Sequence, residues 1–307
     1  MPRIKYDCSG VIPAGLLPLH DDLSIDEKSY RKHMRDIAAV RGVAAITVNG
    51  HASEVSSCTF DEQVRLLDMA VEEVGDTVPL VNGIYADSAT EAVRIARMAD
   101  QHHASALLVF PSNVFMLGTR PEMIVDHYKR IADVTDLPLI IFQFPVGLPL
   151  SYSHDVLSRL VAEIPTIRAM KDGSGDPVRN ELAVRDLQSD RFTVLTTHSA
   201  WLLQSLVTGC KGLLSGAGST IADLQVALFE AVRDDDLATA KRVAARIHHT
   251  TLAFYGAPAV DMHNRMKEAQ VILGRLPSAA VRAPLQKLGA AEIQRIRMHL
   301  ETAGITR

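Results

Sequence analysis

Short apolar, β-rich runs alternate with longer amphipathic stretches along most of this chain, and that alternation limits the possible folds more than any other feature of the sequence. The runs begin at Gly10 (GVIPAGLLP), Val43 (VAAITVNG), Pro79 (PLVNGI), Ala106 (ALLVFP), Pro138 (PLIIFQF), Thr166 (TIRAMKD), Phe192 (FTVLTTH) and Gly212 (GLLSG). Helical patterns fill the intervals. Several open on a Ser/Thr-x-x-Glu capping box: Ser24 with Glu27, Thr59 with Glu62, Ser88 with Glu91, and Thr119 with Glu122, the last with Pro121 in the first turn. Asp176-Pro177 opens another. Eight β-then-α units predict an α/β fold of the parallel (β/α)8 or TIM barrel type over residues 1–233, an architecture that takes roughly 250 residues. Residues 234–307 hold no further strand-like run and no linker rich in Gly, Ser or Pro precedes them, so they are expected to be a helical extension packed on the barrel as one unit. A doubly wound open sheet alternates in the same way. It is disfavoured because Leu16-Leu17-Pro18-Leu19-His20 stands where a Gly-x-Gly-x-x-Gly turn would follow the first strand.

Composition narrows the function classes. A net charge of -4 over 307 residues supplies no bulk positive field for nucleic acid or anionic lipid, so any partner must be recognised locally. Cys8, Cys58 and Cys210 are odd in number and scattered, which fits a reduced compartment and offers no C-x-x-C metal spacing. The first ten residues lack the apolar region of a secretory signal, and the most apolar stretch, 104–117, is interrupted by Pro111, Ser112 and Asn113. A cytoplasmic protein without a membrane span is expected. The pairs His102-His103 and His248-His249 diverge on helical patterns, and neither a His-x-His on the first strand nor a His-Glu-x-x-His is present, so no metal and no cofactor is expected.

In a barrel the active site lies where the strands end. Lys171 alone among the lysines closes an apolar run, and alternation puts it on the same side as Ala169 and Ile167, toward the barrel interior. An ammonium there loses hydration, its pKa falls, and the neutral amine can attack a carbonyl carbon. A lysine with its head in solvent, or paired with Asp172, is the equally simple structural alternative. Ser215 to Thr220 form a small-residue loop after the last strand, which suits either a phosphate or merely a tight turn.

Three stretches on three of these strand ends, GHASE from Gly50, FQFPVG from Phe142 and AMKDGSGD from Ala169, resemble the signature segments of the dihydrodipicolinate synthase and N-acetylneuraminate lyase superfamily. The resemblance runs in register from about Gly10 to Gly218. It implies a barrel with C-terminal helices, a homo-oligomer (tetramer or dimer), and a lysine that forms a Schiff base with pyruvate or another 2-oxo acid. On that basis Lys171 takes the Schiff-base role, the amides of Gly50-His51-Ala52 bind the carboxylate, Glu54 holds that loop, and Ser215-Gly216-Ala217 line the pocket.

The departures redirect the chemistry. Phe142 stands where the family carries a proton-shuttling tyrosine, and phenylalanine has no proton to give. His51 and Ala52 replace the neighbouring hydroxyls, Ser53 replaces the second glycine, Asn113 replaces a tyrosine that reaches across a subunit contact, and no arginine follows Pro145 to meet a second carboxylate. Dihydrodipicolinate synthesis is therefore not the expected activity. His51 is the candidate proton carrier, because imidazole titrates near neutrality, unless its ring only fills the space of the missing hydroxyls. Tyr85 and Tyr152 could supply a relocated phenol or be wall residues, and His198 could meet a polar substrate tail or be a solvated loop histidine. The sequence thus points to a Schiff-base lyase of aldolase or hydro-lyase type. Its rivals are a 2-oxo acid binding or sensing barrel without turnover, and a lyase for a phosphorylated sugar acid.

Overall fold

The computed structural model describes residues 3–306. Eight parallel strands follow the predicted runs: β1 (Gly10–Pro13), β2 (Ile46–Val48), β3 (Leu80–Ile84), β4 (Ala106–Val109), β5 (Leu139–Gln143), β6 (Ile167–Asp172), β7 (Thr193–Thr196) and β8 (Gly212–Ser215). They pair in the order β1-β8-β7-β6-β5-β4-β3-β2, and the bridges Val11↔Val43 and Ala14↔Thr47 bring β1 to β2 and close the ring. Nearly every strand residue is buried and most are apolar, as strands covered on both faces require. Ile12, Val81, Leu108, Ile140, Ala169 and Leu214 fill the interior, and a second, larger core lies between strands and helices.

Between the strands run α1 (Glu27–Ala38), α2 (Phe60–Val74), α3 (Ala89–Gln101), α4 (Pro121–Ala132), α5 (His154–Glu163), α6 (Pro177–Asp186), α7 (Leu202–Thr208) and α8 (Gly218–Arg233), followed by α9 (Leu237–Phe254), α10 (Met262–Ile272) and α11 (Ala290–Thr302). Thr59 and Glu62 form the full reciprocal capping box, Ser88 accepts from the Glu91 amide, and Asp176 accepts from the Val178 and Arg179 amides. Two expected caps are displaced. Ser24 instead donates to Asp22, so that Asp26 caps α1, and Arg120 stands at the N-cap of α4 without a side-chain bond, leaving Pro121 to set the first turn.

A second correction concerns β6. Pairing steps from Leu139↔Ile167 to Ile140↔Ala169, so Arg168 is an extra residue. Such a bulge resets the alternation. Ala169 therefore faces the interior while Ile167 belongs to the outer core, and the expected common side holds for Ala169 and Lys171 only.

The C-terminal helices are tied to one another by Arg265. Its wholly buried guanidinium donates to Glu292 of α11 (2.6 Å) and to the carbonyls of Phe254 (3.1 Å) and Gly256 (2.7 Å) at the end of α9. Glu292 in turn has its carboxyl held below the usual range by that arginine. A charge so deep is tolerable because its donors are satisfied. Among the described residues no helix is long and apolar enough to cross a membrane.

Candidate active site

The loop after β2 is built by polar side chains that the interior cannot leave unpaired. Asn49 adopts φ 52° and donates from Nδ2 to Asn82 Oδ1 (2.8 Å) and to the Gln63 carbonyl (2.9 Å). Its own carbonyl sits against Gly83, where an added Cβ would lie 2.0 Å from the oxygen, so only glycine fits there. A single 3₁₀ turn, His51–Ser53, follows, with the Ser53 and Glu54 amides bonded back to the Gly50 and His51 carbonyls at 3.0 Å each. The turn's own ladder thus begins at Ser53, and the His51 and Ala52 amides precede it. Ser53 donates to the Gly15 carbonyl (2.8 Å), and Glu54, at φ 50°, forms a buried ion pair with Lys267 of α10. Lys267 also donates to the Ala280 carbonyl (2.7 Å). Glu54 is thereby a structural anchor between loop and helix.

Lys171 ends β6 one strand over from Phe142, its register partner on β5. Its Nζ stands 4.2 Å from the centroid of the Phe142 ring. Desolvation lowers its pKa from 10.5 to about 7. Pairing with Asp172 is ruled out by geometry. That carboxylate accepts from the Ser174 amide (2.9 Å) and from Asn180 Nδ2 (2.7 Å) on the outer side of the strand.

His51 lies in a ring of aromatic side chains. Its ring centroid is 4.4 Å from Phe110, 5.5 Å from Phe142, 5.5 Å from Tyr85 and 6.0 Å from Phe144. Phe110 and Phe142 stack at 4.6 Å and 28°. Burial first, and the charge of Lys171 second, depress the His51 pKa to about 3. Lys171 and His51 therefore share the Phe142 ring and feel each other's charge. Ala52 is buried beneath the same turn.

Not every other expected residue points into the mouth. Ser215 is wholly buried, and its hydroxyl accepts from Gln225 Nε2 of α8 (3.0 Å), facing the helices and not the barrel mouth. Gly216 is covered. A Cβ there would meet His263 Nε2 at 2.9 Å and Met266 Sδ at 3.6 Å, both from α10. The rest of the small-residue loop lies under α10 and the turn after it, with the Ser219 carbonyl accepting from Gln270 and the Thr220 carbonyl from Arg275. This occupancy leaves a tight, covered turn in place of a phosphate cradle. Tyr152 is buried outside the barrel, packed edge-on against Tyr128 at 6.2 Å, and is removed from the list of relocated phenols. Tyr85 remains beside His51. His198 stacks near Trp201 at 4.8 Å and contacts the loop after β6 at Gly175. Asn113 donates to Asp87 (2.7 Å), and the turn it opens exposes Val114, Met116 and Leu117.

Sequence reasoning missed His263. It belongs to the helical extension, yet its ring covers Gly216 at the end of β8, and burial first, then the charges of His51, Lys171 and Lys267, hold its pKa to about 3. The signal available was a histidine and a lysine four residues apart on a helix with few apolar positions, since such a pair shares one face.

Comparison with known proteins agrees with this fold. The family model described as the dihydrodipicolinate synthetase family matches residues 7–303. A 4-hydroxy-tetrahydrodipicolinate synthase from Methanoculleus marisnigri is 28% identical over 298 residues, covering 96% of this chain and 99% of its own. A probable 2-dehydro-3-deoxy-D-pentonate aldolase, YjhH from Escherichia coli, is 26% identical over 76% of this chain and 77% of its own. Among solved structures, YagE, an Escherichia coli prophage protein of the dihydrodipicolinic acid synthase family in complex with pyruvate, superposes with a TM-score of 0.90 at 22% identity, covering 97% of this chain and 99% of that one. The Acinetobacter baumannii dihydrodipicolinate synthase complexed with pyruvate gives 0.88 at 24% identity, with coverage of 97% and 99%. With a family model spanning nearly its whole length, the chain belongs to the dihydrodipicolinate synthetase family.

Proposed function

We propose that the protein is a Schiff-base lyase of aldolase or hydro-lyase type that acts on pyruvate or a related 2-oxo acid through Lys171. The observation that carries this reading is the setting of that lysine: partly buried, without a carboxylate partner among the described residues, with a pKa near 7, and facing the same ring as His51. Near neutrality a large fraction of the amine is unprotonated and nucleophilic. Nζ adds to the keto carbon, the carbinolamine oxygen leaves as water, and the resulting iminium withdraws electrons from the chain beyond C3. The backbone of Gly50, His51 and Ala52 receives the carboxylate. His51, or a bound water, handles the proton that the absent phenol would carry.

The aromatic wall of Phe110, Phe142, Phe144 and Tyr85 favours an aldehyde or enoyl partner less polar than a sugar acid. It offers no cation for a second carboxylate, since Val146 follows Pro145. Dihydrodipicolinate synthesis is accordingly not the activity proposed. A homo-oligomer is proposed as the working form, with the exposed Val114, Met116 and Leu117 as a contact surface.

The loss of the phenol at Phe142 favours one alternative, a 2-oxo acid binding or sensing barrel that no longer turns over. The two are separated by offering a panel of 4-hydroxy-2-oxo acids and benzylidene-type 2-oxo acids and following pyruvate release. Release that disappears in Lys171→Ala supports the lyase. Saturable pyruvate binding with no release across the panel supports the sensor.

A further inference from the structure

The helix α10 lies outside the eight β/α units, yet three of its contacts aim one of its faces at the barrel mouth. Lys267 is ion-paired with Glu54, whose amide closes the turn that carries His51. Met266 and His263 cover Gly216 at the end of β8. Arg265 fixes the helix from the opposite side through Glu292 and the carbonyls after α9. His263 and Lys267 are four residues apart and so share the face that docks on the site. Gly216 has no left-handed φ, so its missing side chain serves space, and the space is filled by the His263 ring. The His263 ring thus lies over the end of β8 from a helix outside the β/α units.

We propose that His263 is a second proton-handling residue of the imine chemistry, taking and returning the proton at C3 of the bound 2-oxo acid while His51 serves the oxygen that leaves C2. This assignment rests on the Schiff-base reading above. In the step concerned, the C3–H bond breaks and its proton passes to an imidazole nitrogen of His263. The C–H pair forms the C2=C3 bond, and the iminium π pair moves onto nitrogen, giving the neutral enamine. In the reverse direction the enamine carbon takes the proton back. No oxidant or further reactant is needed. Both imidazoles are held neutral in the free protein by burial and by neighbouring positive charge, so each has a lone pair to accept a proton. The negative carboxylate of the bound substrate offsets that positive charge and raises the basicity of the rings when it is needed.

The test needs no knowledge of the aldehyde half. Pyruvate in D2O exchanges its methyl protons whenever the enamine forms and reverts, and the exchange is followed by proton NMR. Borohydride capture of pyruvate on Lys171 reports imine formation separately. In His263→Asn, capture is expected to persist while exchange falls by about 100-fold, the usual cost of losing a general acid or base. Gly216→Ala, whose methyl must push the ring aside, is expected to show the same split. Exchange unchanged in both variants would overturn the assignment and leave the Schiff-base reading standing. Loss of capture together with exchange in both would also overturn it, since His263 would then only hold the pocket's shape. Absence of capture in the unaltered protein would remove the Schiff-base reading, and this inference with it.

Discussion

The ammonium of Lys171 stands 4.2 Å from the centre of the Phe142 ring, its register partner on the neighbouring strand. Two opposing effects meet in this pair. A cation over an aromatic face is stabilised by about 0.5–2 kcal/mol, whereas a fall in pKa from 10.5 to about 7 corresponds to roughly 5 kcal/mol against the charged form. Desolvation wins, and the amine is free near neutrality. On the proposed reading, the Phe142 ring leaves the Lys171 amine free to react near neutrality while supplying no proton donor of its own.

Removing the buried ammonium should stabilise the fold. Below about pH 7 Lys171 is charged in both folded and unfolded chains, and the folded state bears the whole desolvation cost. Between about pH 7 and 10.5 the unfolded chain binds more protons, so stability rises with pH. Lys171→Met is therefore expected to raise stability by a few kcal/mol, on the order of 2–4, with the gain greatest below pH 7 and fading toward pH 10.5. Urea unfolding at pH 6 and pH 9.5 measures it. A gain independent of pH, or a loss, contradicts the desolvated amine.

Phe142→Tyr should not confer condensation of pyruvate with aspartate semialdehyde. The ring is stacked on Phe110, the buried Ala52 offers no hydroxyl to orient a new phenol, and Val146 stands where a carboxylate-binding arginine would be needed. A coupled assay with the reductase that consumes the condensation product is expected to stay at background. Substantial turnover would mean that the phenol alone governs the reaction.

His51→Asn should leave imine formation intact and slow product formation by about 100-fold or more, the range for a lost general acid or base. An unchanged kcat would return the ring to a packing role and direct attention to Tyr85, which lies 5.5 Å away.

The Glu54–Lys267 pair joins the His51 turn to α10 in a buried setting. Breaking it from one side leaves an uncompensated charge, so Glu54→Gln is expected to cost about 3–5 kcal/mol. Glu54→Gln combined with Lys267→Met should recover most of that loss. Thermal unfolding of the three variants tests this, and equal destabilisation by the single and double changes would contradict it.

How far the molecule was legible from its sequence depended on whether the signal was local. All eight strands lay within the apolar runs, because strands buried on both faces leave a continuous apolar trace. Thr59 and Asp176 announced their helices because a cap is written within four residues. The side taken by Ile167 was not legible, since a one-residue bulge at Arg168 leaves no mark on the alternation until the partner strand is known. The positions of Lys171 and His51 were legible because one stands at a strand end and the other opens the loop after a strand. Tyr152 shares that local position yet turns into the outer core against Tyr128. His263 arrives from α10, beyond the eight β/α units, and only tertiary docking through Glu54 and Gly216 brings it to the mouth.

The central claim is that Lys171 is a nucleophilic amine that condenses with a 2-oxo acid. The most direct measurement is to incubate the protein with pyruvate and a short panel of 2-oxo acids, reduce with borohydride, and locate the added mass by peptide mapping across pH 5.5 to about 9. The expected result is labelling confined to the Lys171 peptide, absent in Lys171→Ala, with an initial rate that rises with pH through a midpoint near 7 as the amine loses its proton. Labelling spread over surface lysines, or none across the panel, would contradict the account and leave Lys171 a structural residue in a barrel of other purpose.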